Sequence, residues 1–228
     1  MSDDYQDDIQ PIEEDALEDD ELEDDELDED RVYRGANDPI FGLVLAFAVS
    51  LGLMALGADG ADMRYTITWG MLITFGVLAW LFGNGTRITE ETPENLMWGI
   101  AFGLVLSIPL LAFGTITLGE ITDLIFPNMG VGTALAYLVF IIPMGETLFF
   151  RGILQQHQRF WETGLLSGFW QIFQFFPLIN RGPYPLILGV MLLMANVLYS
   201  YVKERNGLAA SWVCQITVNV VLLFLPFV

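Results

Sequence analysis

Residues 141–152 read "IIPMGETLFFRG" and set Glu146 and Arg151 inside an apolar run. Ionisable side chains within a nonpolar helix are costly, and where they occur they face a bundle interior or a water-filled cavity rather than lipid. The stretch therefore asks what surrounds it. The 228-residue chain is 54% hydrophobic and only 17% charged, more apolar than an ordinary soluble domain. Apolar runs of spanning length recur at 39–57, 66–83, 96–118, 131–153, 164–179, 185–202 and 208–228. Between them lie polar connectors bearing Gly or Pro, such as "LFGNGTRITEETPENL" (81–96), "QHQRFWETG" (156–164) and "NRGPYP" (180–185). Lipid admits only helices or closed barrels, and these runs lack the alternation of barrel strands. The expected fold is all-α, a polytopic membrane bundle of about seven transmembrane helices over residues 36–228.

The net charge of −20 belongs to one end of the chain. Residues 1–30 hold eighteen Asp and Glu and no Lys or Arg, whereas the rest carries eleven acids against nine bases. Residues 1–35 thus read as a disordered acidic tail, either a docking arm for a basic partner or a solubilising segment. Its acidic start is not that of a signal peptide. No nucleic-acid partner is expected. With seven spans, Arg31, Arg34, Arg87, Arg159, Lys203 and Arg205 fall on the N-terminal side with Arg151 at its border, and only Arg64 and Arg181 fall opposite. The positive-inside bias then predicts a multi-pass protein of the cell membrane with its N-terminus in the cytoplasm. The single cysteine, Cys214, excludes an internal disulfide and reads as a small buried side chain.

Counting about 1.5 Å per residue from the span ends puts Glu146, Gln171, Gln174, Asn196, Gln215 and Asn219 in one layer, roughly 10–15 Å below the N-terminal side. Gln215 and Asn219, four apart, share a helical face. Such residues serve either as hydrogen-bonding glue between helices or as a functional site. His157, the one histidine, falls about 16 Å beyond Glu146 along the axis, within the polar "QQHQRF", and reads as a surface residue. "GIAFG" (99–103) has the spacing that lets membrane helices approach closely, and Pro143 is placed to open the backbone ahead of Glu146. Trp and Tyr near span ends fit interfacial anchors. Phe169, Trp170, Phe173, Phe175 and Phe176 are candidates to line a lipid-like groove.

"GETLFFRGILQ" (145–155) resembles the first motif of the CPBP family, also called Abi: the CAAX prenyl proteases and bacteriocin-processing proteins. That motif has two adjacent glutamates and, after three residues, an arginine, here Glu146, Thr147 in the second glutamate's place, Arg151 and Gly152. The second motif, an aromatic residue with histidine four later, is met by "SGFWQIFQFFP" (167–177), with Trp170 as the aromatic and Gln174 for the histidine. The third, histidine then asparagine or aspartate four later, is met by "LAASWVCQITVNVV" (208–221), with Gln215 for the histidine and Asn219 retained. The resemblance covers roughly 131–223. It implies an intramembrane endopeptidase in which the first glutamate and a histidine activate water, while the later residues shape the site or hold the oxyanion.

The departures carry their own chemistry. Glutamine keeps a donor and an acceptor but does not exchange a proton near neutral pH, so the acid–base role of both histidines is gone. It is also a poor transition-metal ligand, so no cofactor and no divalent metal is expected. The leading expectation is a divergent member with weak or lost catalysis, resident in the lipid bilayer as a scaffold, adaptor or complex subunit. The alternative is an active Glu146-dependent protease of membrane-anchored or lipidated proteins.

Overall fold

A run of apolar residues in lipid must satisfy its own backbone hydrogen bonds, and here each does so as a helix. The structure, a computed structural model, describes residues 39–57, 60–82, 92–112, 114–175 and 184–228. The acidic tail, Arg31, Arg34, Arg87, Arg181 and Phe176 lie outside the described residues, and with them the tail assignment and much of the charge bias used for topology. Eight helices follow in order among the described residues, with no strand: α1 (Pro39–Leu53), α2 (Ala61–Leu81), α3 (Pro93–Leu111), α4 (Thr115–Ile125), α5 (Val131–Gln156), α6 (Phe160–Phe175), α7 (Tyr184–Asn206) and α8 (Leu208–Phe227). Five of them are long and apolar enough to cross a membrane: α1 with its short extension to Leu56, α3, α5, α7 and α8.

That count is of the described residues, which leave the seven expected neither met nor excluded: α6 is described over 16 residues, to Phe175, and α2 brings Asp62 and Arg64 into its first turn. The run 96–118 is not one helix. It stops at Leu111, and Gly114, at φ 113°, turns the chain into α4. Thr92 caps α3 by accepting the Asn95 N–H at 3.3 Å, with Pro93 at the first helical position.

The bundle encloses a polar cluster within an apolar core and turns apolar side chains outward. Glu146, Arg151, Asn196 and Gln215 are fully buried, while Val105, Ile108, Leu186 and Phe140 are exposed on the outer faces. That distribution suits a lipid surround.

Small residues bring two helix pairs together. A Cβ on Gly99 would strike the Ala210 carbonyl, and one on Gly103 would stand 2.8 Å from Thr217 Cβ, so α3 lies directly on α8. "GLLSG" (164–168) does the same for α6 and α7: Cβ atoms there would meet Val197 Cα at 2.6 Å and Leu193 Cα at 3.1 Å. This second Gly-xxx-Gly pair is what lets polar side chains of α6 and α7 touch.

α5 is the irregular element. Its α-helical pieces, Val131–Ala136 and Ile142–Glu146, alternate with π-helical turns at Tyr137–Ile141 and Thr147–Arg151. Pro143 accounts for the first, because its ring would crowd an ordinary turn. In the wider register the Ile142 N–H bonds the Tyr137 carbonyl. The same register would pair the Leu138 carbonyl with residue 143, which as proline has no N–H. That carbonyl is met instead by Asn219 Nδ2 at 2.9 Å.

The aromatic residues of α6 do not line a common groove. Phe169 is exposed, Phe173 packs on Phe47 at 5.8 Å, and Trp170 and Phe175 are buried against Trp69 at 5.5 and 6.0 Å. Successive positions on a helix point in different directions, so closeness in sequence did not make a wall. Trp69 is likewise an interior residue, not an interfacial anchor.

Candidate functional site

Gly145 brings α2 against α5. A Cβ there would sit 3.1 Å from the Trp69 carbonyl, and the close crossing sets the Trp69 indole beside the next residue, Glu146. Trp69 Nε1 donates to Glu146 Oε1 at 3.0 Å, and Gln215 Nε2 of α8 donates to Oε2 at 2.6 Å. Both carboxylate oxygens therefore act as acceptors, the role they fill when ionised.

Gln215 does more than hold the glutamate. Its Oε1 accepts from Arg151 Nη1 at 2.7 Å, so the one amide stands between the anion and the cation. A neutral imidazole has the same inventory, one donor and one acceptor. Gln215 thus makes the two bonds a neutral imidazole could make, without a group that titrates.

Arg151 continues the network. Nη1 also reaches Thr147 Oγ1 at 3.4 Å, Nη2 donates to Asn196 Oδ1 at 2.7 Å, and the guanidinium lies 4.9 Å from the centre of the Tyr199 ring. Asn196 Oδ1 accepts further from Ser167 Oγ at 2.7 Å, and its Nδ2 donates to Gln171 Oε1 at 2.7 Å and to the Leu192 carbonyl at 2.9 Å. The chain Trp69–Glu146–Gln215–Arg151–Asn196–Gln171 ties together α2, α5, α6, α7 and α8.

Of the positions singled out in the sequence, the fold gathers Glu146, Arg151, Thr147, Gln215, Asn196 and Gln171 into one network. Asn219 is buried nearby on the backbone of α5. Gln174 is 2% exposed, yet neither amide atom has a hydrogen-bond partner among the described residues. His157 is exposed and faces its own helix, with Nδ1 3.4 Å from the Ile153 carbonyl. Cys214 is buried as a free thiol in α8. Trp69 and Ser167 were missed by sequence reasoning. Gly145 beside the glutamate was the available signal for a crossing helix, and "GLLSG" for the α6–α7 contact.

A family model described as type II CAAX prenyl endopeptidase Rce1-like matches residues 127–221. The family resemblance is confirmed over this stretch. The matched region holds α5 to most of α8, and so every network member except Trp69; it spans less than half of the 228-residue chain. Searches of the curated proteins and of the solved structures found no match. Over residues 127–221 the chain is similar to the type II CAAX prenyl endopeptidases, in a protein with five helices apolar and long enough to cross a membrane; His157 is the one histidine in that region.

Proposed function

We propose that this protein is a catalytically silent relative of the CAAX endopeptidases, a scaffold or complex subunit of the cell membrane with its N-terminus and acidic tail in the cytoplasm. One observation carries the reading. The two oxygens of the fully buried Glu146 are each held by an N–H that does not exchange its proton near neutral pH, the Trp69 indole and the Gln215 amide. Those two donors leave other lone pairs on the carboxylate, so what decides is the proton: a glutamate that activates water needs a partner that relays it. Neither Gln215 nor Gln174 can serve as the relay. The donor set does not suit a divalent cation either, since it offers one carboxylate, with N–H groups turned towards it and a guanidinium beyond.

The partner class that fits is a membrane-anchored protein, with a basic segment to meet the acidic tail. The deciding experiment incubates the purified full chain with a panel of membrane-anchored and lipidated peptides, beside Glu146→Gln. No cleavage by either is expected, and turnover by the wild type that Glu146→Gln abolishes would establish the active-protease reading instead. Reinstalling Glu at 147 with His at 174 and 215 tests the motif alignment, for which acquired cleavage is the expected sign.

A further inference from the structure

We propose that Arg64 and the first turn of α2 hold a phosphate group at the membrane face opposite the N-terminus. The site stands apart from whether Glu146 is catalytic, because among the described residues the Arg64 side chain bonds to no member of that network.

Arg64 is 1% exposed, and none of its three guanidinium nitrogens has a hydrogen-bond partner among the described residues. The other fully buried arginine shows the contrast, since Arg151 sets Nη1 on Gln215 and Nη2 on Asn196, each at 2.7 Å. A guanidinium carries five N–H donors and does not shed its charge, so burying one without an acceptor or a counter-charge costs a fold heavily. Tyr65 is the neighbour it meets. The ring centre lies 5.3 Å from Arg64 Cζ, and the phenol is within electrostatic reach. That phenol donates its proton to the Ile125 carbonyl at 2.7 Å, so it is a neutral group and offsets no charge. Three carboxylates lie on neighbouring segments and do not bond Arg64 either. Asp62, two residues away and so on another side of the helix, is exposed and accepts the Met63 N–H at 2.7 Å. Glu120 and Asp123 are exposed on α4, where Glu120 takes the Tyr184 hydroxyl. Their charges stand in water and are screened, whereas that of Arg64 is not.

The start of α2 adds donors to the cation. Gly60 caps the helix without a side-chain bond, so the N–H groups of Ala61 and Asp62 have no carbonyl to reach within it, and the helix dipole sets positive charge there. Ala61 is buried and stands three residues before Arg64 on the same face. A helical side chain leans back over the preceding turn, which brings the Arg64 fork towards the Ala61 N–H. A guanidinium fork beside a helix N-terminus is a donor set for an oxyanion, and phosphate fits it. The depth agrees. α1 with its extension to Leu56 is long enough to cross the membrane, so α2 begins at the far face, and Arg64 lies about 5 Å inside it, near the level of lipid phosphates. Two sources carry this chemistry, a phospholipid headgroup and the free ion.

The test follows melting of the full-length protein, purified in detergent free of phosphate and lipid, as inorganic phosphate or phosphatidylglycerol is added. Sodium chloride of equal ionic strength and diacylglycerol of the same chains serve as controls. A rise of about 3 °C is expected at tenfold excess over Kd, with no rise from either control. Arg64→Met should abolish the rise and, without ligand, melt no lower than the wild type, because it removes a buried charge that has no counterpart. Arg64→Lys keeps the charge without the fork and should need about tenfold more ligand. A rise with inorganic phosphate assigns the free ion, and a rise with phosphatidylglycerol alone assigns a lipid headgroup. No rise with either overturns the proposal, as does an equal rise in Arg64→Met. So does a ligand-free Arg64→Met that melts below the wild type, since Arg64 would then be satisfied within the protein itself.

Discussion

Gln215 and Gln174, the two glutamines that the motif resemblance sets in place of histidine, are treated by the fold in opposite ways. Gln215 uses its donor on Glu146 and its acceptor on Arg151. Gln174 is equally buried, with both amide atoms lacking a hydrogen-bond partner among the described residues. One replacement preserves the electrostatics that a histidine would serve; the other keeps only a histidine's approximate bulk. Under the function proposed above, losing catalysis need not unravel a buried ion pair so long as the amide between the charges is kept.

The greatest effect is expected at Arg151. Arg151→Met removes the donor shared by Gln215 and Asn196 and leaves Glu146 as a buried charge without its counterpart. That loss should cost about 3–5 kcal/mol, read as a fall in the denaturation midpoint of the purified protein in detergent. Next comes Gln215→Leu, which strips the bridge from both charges at once and should cost about 3 kcal/mol. Gln215→His should recover most of that loss, because a neutral imidazole again offers one donor and one acceptor. Failure of the histidine to rescue would show that shape, rather than hydrogen bonding, decides the position.

The two tryptophans repeat the comparison on a smaller scale. Trp69 donates to Glu146, whereas Trp170 Nε1, packed 5.5 Å from it ring to ring, has no partner among the described residues. Trp69→Phe should therefore cost about 1.5–3 kcal/mol beyond its lost packing, the range for a bond to a charged group, and Trp170→Phe the packing alone. Equal losses would mean that the indole N–H does little to hold Glu146.

How much of this could be read from the residues follows from the same physics. Helix type, the bundle and the membership of Glu146, Gln171, Asn196 and Gln215 in one layer were legible, because an intramembrane polar group has few places to go. Trp69 was not, since its N–H finds an acceptor only through a helix crossing set by Gly145. Pro143 was read as opening the backbone, but that it leaves the Leu138 carbonyl for Asn219 depends on which register the π-turn adopts. The break at Gly114 was hidden inside a run whose hydropathy continues across it.

The smallest effect is the sharpest test of the comparison. Gln174→Leu exchanges a buried amide for an apolar side chain of similar volume. An interior amide with no protein partner has lost its hydrogen bonds to water and gained none in return, so removing it should be neutral or stabilising, by no more than about 1 kcal/mol. The same substitution at 215 is expected to cost about 3 kcal/mol, so the pair separates wired from unwired glutamine within a single fold. A loss at 174 approaching that at 215, measured in the same detergent, would show that Gln174 is bonded after all, through an ordered water or a bound peptide group. The two motif positions would then be equivalent, and the second one would join the site.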